Sequence, residues 1–135
     1  MGSAGKGQSC KIVNQITVGG SLFGLSEGLV FAGKSGLDKD RFLEAVRGGA
    51  AGSMVMELFG KRMIGRFELG GFAEYMVKDL GMAVDLEDEA AAAVVLPGAS
   101  LSKQLFSGMV ANGDGKLGTQ GIVTVIERIN GLHGK

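Results

Sequence analysis

The sequence predicts an all-α fold, a single helical domain of about six helices around one long central helix. Three observations carry that prediction. Apolar residues recur at three- and four-residue spacing along nearly the whole chain. Strand-like alternation closed by hairpin turns is hard to find. The gaps between periodic stretches hold helix punctuation, Ser, Asp, Thr, Gly and one Pro. At 135 residues the length fits one domain spanning positions 1–135.

The first element runs from about Gly7 to Gly33. Its apolar positions Ile12, Ile16, Phe23 and Val30, flanked by Val13, Leu22, Leu25 and Leu29, describe a buried helix. Its glycines suit places where another helix presses close. Ser35-Gly36-Leu37 ends it, and Asp38 caps a short helix over Lys39–Arg47. Gly48-Gly49 breaks that helix, and Ser53 caps another through Gly60. A Gly65–Gly71 loop leads to a second long helix, about Ala73–Val95. Met76, Leu80, Ala83, Val84 and Leu86 form its buried stripe, and Asp85, Glu87, Asp88 and Glu89 its solvated end. Pro97 interrupts the pattern, and a helix follows from about Gly98 to Ala111. Asn112–Gly115 is a loop, and Thr119 caps a last helix over Gln120–Asn130.

Composition excludes several functions. Lys plus Arg and Asp plus Glu both number 14, so the net charge is zero, which argues against gripping nucleic acid or an anionic membrane by charge. One Cys and one His leave no disulfide framework and no ordinary zinc site, so no metal is expected. A mean hydropathy of +0.24 opposes disorder. Glycine is in excess, 25 residues, but with a single Pro and no triplet period collagen is excluded. Met1–Gln15 has no apolar secretory core, so a cytoplasmic location is expected. Gly20, Gly24 and Gly28 repeat the small-residue spacing of membrane helices, but Glu27 in the same stretch disfavours hydrocarbon, and no membrane span is expected.

Two motifs and two lone residues fail on physical grounds. Gly28–Ser35 matches the phosphate-loop pattern letter for letter, yet it ends a helical stretch, its variable residues are core types, and no helix starts after it. A nucleotide-binding role resting on Lys34 is therefore the weakest reading. Asn112–Val123 places Lys116 and Val123 where a calcium loop needs oxygen ligands. His133 has no partner at useful spacing, and Cys10 reads as a small packed residue.

One constellation survives. Gly2, Gly5 and Gly7 precede a helix bearing Lys11, Asn14 and Gln15, which share a face by three- and four-residue spacing. One ammonium and two amides thus project together beside a glycine-rich entry. A lysine near a helix N-terminus feels the positive end of the dipole. If partly buried as well, it is suited to exchange a proton with substrate while the amides hold a hydroxyl or carboxylate. The plain alternative is a surface lysine on an amphipathic helix.

The run G-x-x-G-x-G-x-x-x-K-x-x-N-Q, ending at Gln15, resembles the hinge motif of the β-hydroxyacid dehydrogenases, which include 3-hydroxyisobutyrate dehydrogenase, 2-hydroxy-3-oxopropionate reductase and 6-phosphogluconate dehydrogenase. Gly71-Phe72-x5-Lys78-Asp79-Leu80 resembles a second family motif, and the stretch Arg47–Ser53 is similar to the reductases. The resemblance implies that Lys11 is the catalytic lysine and that Asn14 and Gln15 orient substrate. It implies that Lys78 reaches the nicotinamide end of NAD or NADP, and that Phe72 and Asp79 line or order the pocket. Core packing for Phe72 and an ion pair with Lys78 for Asp79 are the plain alternatives. The implied substrate is a small β-hydroxyacid or its semialdehyde, and the implied assembly is a homodimer or larger homo-oligomer. Val18 stands where phosphosugar members place a carboxylate, which disfavours that branch.

Family members join this helical domain to an N-terminal Rossmann domain. No strand–G-x-G-x-x-G–helix unit occurs in this chain. The expectation is therefore a C-terminal catalytic and dimerisation domain, inactive alone. A non-enzymatic helical interaction domain is the alternative.

Overall fold

The computed structural model describes residues 2, 4–65, 67, 70–89 and 94–132, with side chains 86–89 excepted. Among these residues there are six α-helices and no strand. They are α1 (Lys6–Lys34), α2 (Lys39–Val46), α3 (Met54–Phe59), α4 (Ala73–Glu89), α5 (Pro97–Ala111) and α6 (Val123–Ile129). Short 3₁₀ turns at Arg62–Ile64 and Thr119–Ile122 complete the path.

At 29 residues, α1 extends about 43 Å at 1.5 Å per residue. It touches each of the other five helices, so it is the spine of the domain. Its buried positions, Ile12, Gly19, Leu22, Leu25, Ser26, Leu29, Val30 and Ala32, follow the expected spacing. At Gly19 both α4 and α5 press against α1. A Cβ there would sit 3.5 Å from Leu80, Met76 and Ser102. Gly20 and Gly24 correct the expectation that these glycines are all pressed by neighbours, since nothing lies within 4 Å of either Cβ position. Val13 is also turned outward, 61% exposed. By length and mean hydropathy α1 can cross a membrane, yet its inner face forms the core of the domain.

Asp38 caps α2 as expected, its Oδ1 accepting from the Arg41 N–H at 2.9 Å. Ser53 caps α3 the same way, accepting from the Met56 N–H at 3.0 Å. Gly36, at φ +76°, makes the left-handed exit from α1 that other residues resist. Asp38→Ala should cost about 1 kcal/mol of stability, and Asp38→Asn much less, read as the shift in urea midpoint of the chain.

Three boundaries differ from expectation. The stretch foreseen as a helix over Ala73–Val95 is helical through Glu89 among the described residues, and residues 94–96, just before α5, are not helical. Pro97 opens α5 rather than separating it, since the first helical position has no need of the missing N–H. Thr119 does not cap a long last helix. It begins a 3₁₀ turn after Gly118, with no side-chain cap, and α6 starts only at Val123.

The core joins Leu22, Leu29, Met63, Leu80, Phe106, Met109, Ile122 and Val123, each 2% exposed or less. The start of α4 is held from outside by the distant segment 115–118. Ala73 N–H donates to the Leu117 carbonyl at 3.0 Å and Glu74 N–H to the Gly115 carbonyl at 2.9 Å. Phe72 pairs with Gly118 in an isolated antiparallel bridge. These bonds satisfy donors that a helix N-terminus leaves open.

Candidate active site

The Lys11 face of α1 lies against α4, and the two helices bring a cluster together near their contact. Lys11 Nζ lies 3.4 Å from Asp79 Oδ1. Gln15 Nε2 donates to Asp79 Oδ2 at 2.9 Å and to the Met76 thioether at 3.3 Å. Asn14 Nδ2 donates to Gln15 Oε1 at 3.4 Å. Residues 11 and 15 are four apart on α1, and 76 and 79 three apart on α4, so each pair shares one helical face.

The Asp79 side chain is buried, 8% exposed, whereas that of Lys11 is 55% exposed. A buried carboxylate needs charge or donors on both oxygens, and here an ammonium takes one and an amide the other. The arrangement ties the Lys11 nitrogen to Asp79 while its side chain stays half exposed. The burial invoked for Lys11 from sequence is therefore not present. Asp79 pairs with Lys11, and the alternative of an ion pair with Lys78 is not the arrangement observed.

The other site residues are placed less centrally. Phe72 precedes α4, seven residues or about 10 Å along the helix direction from Asp79. It is 38% exposed and its ring centroid lies 5.6 Å from that of Tyr75, so it is not plain core. Lys78 is exposed beside Asp79 in sequence, and successive helical residues point about 100° apart. The stretch 47–53 lies elsewhere. Its residues Ala50–Ser53 line a recess of about 430 Å³ against Ser21, Gly24 and Gly28 of α1. Ser21 is ten residues, about 15 Å, along α1 from Lys11.

The rejected motifs find structural employment. Residues 28–34 are helical, and Lys34 Nζ donates to the Asn130 carbonyl at 3.0 Å, so no phosphate loop exists there. Asp114 of the 112–115 loop accepts from Arg128 at 3.0 Å. No group of three potential metal ligands occurs among the described residues. Cys10 is exposed, not packed as expected, because it falls on the outer side of the first turns of α1. His133 lies outside the described residues.

Residues 5–126 match the family model described as the NAD-binding domain of NADP-dependent 3-hydroxyisobutyrate dehydrogenase. The chain belongs to the β-hydroxyacid dehydrogenase family. A relative named probable 3-hydroxyisobutyrate dehydrogenase-like 2, mitochondrial, of Arabidopsis thaliana is 63% identical over 98% of this chain and 42% of its own length. The 2-hydroxy-3-oxopropionate reductase of Escherichia coli is 38% identical over 94% of this chain and 43% of its own. The chain thus spans less than half the length of these dehydrogenase relatives. A solved 3-hydroxyisobutyrate dehydrogenase from Mycobacterium tuberculosis has the same fold, with a TM-score of 0.82 at 21% identity, over 93% of this chain and 45% of that one.

Sequence reasoning overlooked Met76 as a polar partner. Its spacing of three from Asp79 on α4 is the signal that places it on the same face.

Proposed function

We propose that this chain is the domain of an NAD(P)-dependent oxidoreductase that supplies the proton-transfer lysine for a small β-hydroxyacid or its semialdehyde. The observation that supports it best is the convergence of Lys11, Gln15 and Asp79 from two helices onto one partly open point. In this reading Lys11 takes the substrate hydroxyl proton as hydride leaves for nicotinamide, and returns it in reduction. Asn14 and Gln15 orient the substrate, with Asp79 holding Lys11 and Gln15 in register. Phe72 closes the apolar side of the pocket, and exposed Lys78 reaches toward the nicotinamide end of the cofactor. NAD or NADP is held mainly by an N-terminal Rossmann domain, which supplies the strand–glycine loop–helix unit that binds pyrophosphate.

The outward stripe of α1, Val13, Thr17, Gly20, Gly24 and Phe31, suits contact with a second copy in a homodimer or larger homo-oligomer. The names of the Arabidopsis relatives carry the word mitochondrial. They favour the mitochondrial matrix over the cytoplasm expected from sequence.

The decisive experiment compares the 135-residue chain with a full-length protein containing it. With NADP and glycerate or 3-hydroxyisobutyrate, the full-length protein should reduce the cofactor and the chain alone should not. Turnover by the isolated chain would remove the need for a nucleotide domain. No turnover by the full-length protein on any small hydroxyacid would leave the interaction-domain reading in its place.

A further inference from the structure

We infer that Met76 is a positioning residue, whose thioether fixes the Gln15 amide so that this site offers substrate a hydrogen-bond acceptor. The inference rests on the dehydrogenase reading above and names the group on the substrate that Gln15 selects.

The Gln15 amide has two faces of opposite character, an NH₂ that donates and an oxygen that accepts. Two atoms of α4 stand against it, Asp79 Oδ2 at 2.9 Å and Met76 Sδ at 3.3 Å. Carboxylate oxygen and thioether sulfur both accept, so the nitrogen must face them. A flipped amide would set its oxygen against a buried anion and a sulfur lone pair. The carboxylate alone would hold the nitrogen but leave the amide free to swing about that single bond. The second acceptor fixes the plane. Met76 is itself only 3% exposed, so its sulfur has little freedom to leave.

With the nitrogen committed inward, Oε1 is turned toward exposed Asn14, whose Nδ2 donates to it at 3.4 Å. A carbonyl oxygen carries two lone pairs, and one remains for a ligand. Beside the Lys11 ammonium the site therefore seeks a donor. A substrate hydroxyl on the carbon next to the reacting carbonyl supplies one, whereas a methyl group at that carbon covers the second lone pair with no donor, which costs affinity. Leucine at position 76 would fill the volume of methionine without its lone pair.

The test uses the full-length enzyme and two aldehydes that differ at one carbon, 2-hydroxy-3-oxopropionate and 2-methyl-3-oxopropionate. The wild type should prefer the hydroxyl-bearing aldehyde in kcat/KM. Met76→Leu should shrink that preference about three- to tenfold, chiefly by raising KM for the hydroxyl substrate. Gln15→Leu should abolish the preference, and serves where Met76→Leu fails to fold. A wild type that prefers the methyl aldehyde, an unaltered ratio in folded Met76→Leu, or a preference that survives Gln15→Leu each overturns the inference. Full turnover in Lys11→Ala, or none in wild type with either aldehyde, instead overturns the dehydrogenase reading itself.

Discussion

Replacing Lys11 with Ala in the full-length enzyme should lower kcat by about 100- to 10,000-fold, the usual contribution of a positioned proton donor or acceptor. The effect should fall on kcat rather than on KM for the cofactor, because the function proposed above gives the nucleotide mainly to another domain. The fold should survive, since the Lys11 side chain is 55% exposed and water can reach the Asp79 oxygen it leaves, at a cost of about 1–3 kcal/mol. Asp79 keeps its bond from Gln15 in the variant. Lys11→Arg sharpens the result. It restores the positive charge beside Asp79, but a guanidinium does not give up its proton in the working range. Activity of Lys11→Arg should therefore stay near the alanine level. A near-normal rate in the arginine variant would mean that position 11 serves by charge alone. Steady-state kinetics in both directions, with circular dichroism as the folding control, decides between these outcomes.

The second large effect is expected on stability. Phe106 on α5 is fully buried within the core shared with Leu22, Leu29 and Leu80. Truncation to Ala removes a ring that the surrounding helices cannot fully replace, and such changes cost about 3–5 kcal/mol. A domain of ordinary stability holds about 5–15 kcal/mol in total. Phe106→Ala should therefore lower the Tm of the chain by about 10–20 °C, or leave it unfolded at room temperature. Phe106→Leu should recover most of the loss. A shift of only a few degrees in the alanine variant would mean that the helices around position 106 collapse into the space.

The spine, its caps and its inward face were legible because each rests on local rules. Period sets which side of α1 is buried, and Asp38 and Ser53 announce helix starts by side-chain chemistry that needs no distant partner. The start of the last helix was misread for the opposite reason. Thr119 looks like a cap in sequence, but the backbone there is committed to Gly71 and to a 3₁₀ turn, a tertiary bond that no local pattern displays. The face carrying Lys11, Asn14 and Gln15 was legible from spacing. Its partner across the helix contact was not, because residues 11 and 79 meet only once α1 and α4 have packed. The plain alternative for Asp79 was its sequence neighbour Lys78, whereas packing selected Lys11. Met76 was read as apolar stripe, and it is that, but its sulfur also accepts a bond from Gln15. Hydrophobic periodicity does not distinguish a thioether from a leucine.

The backbone bonds from residues 115–118 to the head of α4 have a consequence for synthesis. A ribosome makes α1 before α4, so Lys11 emerges ahead of Asp79. The carbonyls that pin the beginning of α4 come out more than forty residues after Ala73. Until they arrive, the helix bearing Asp79 lacks its outside anchor. The contact between Lys11 and Asp79 is thus secured only after residues 115–118 are made, and loss of that segment would loosen it.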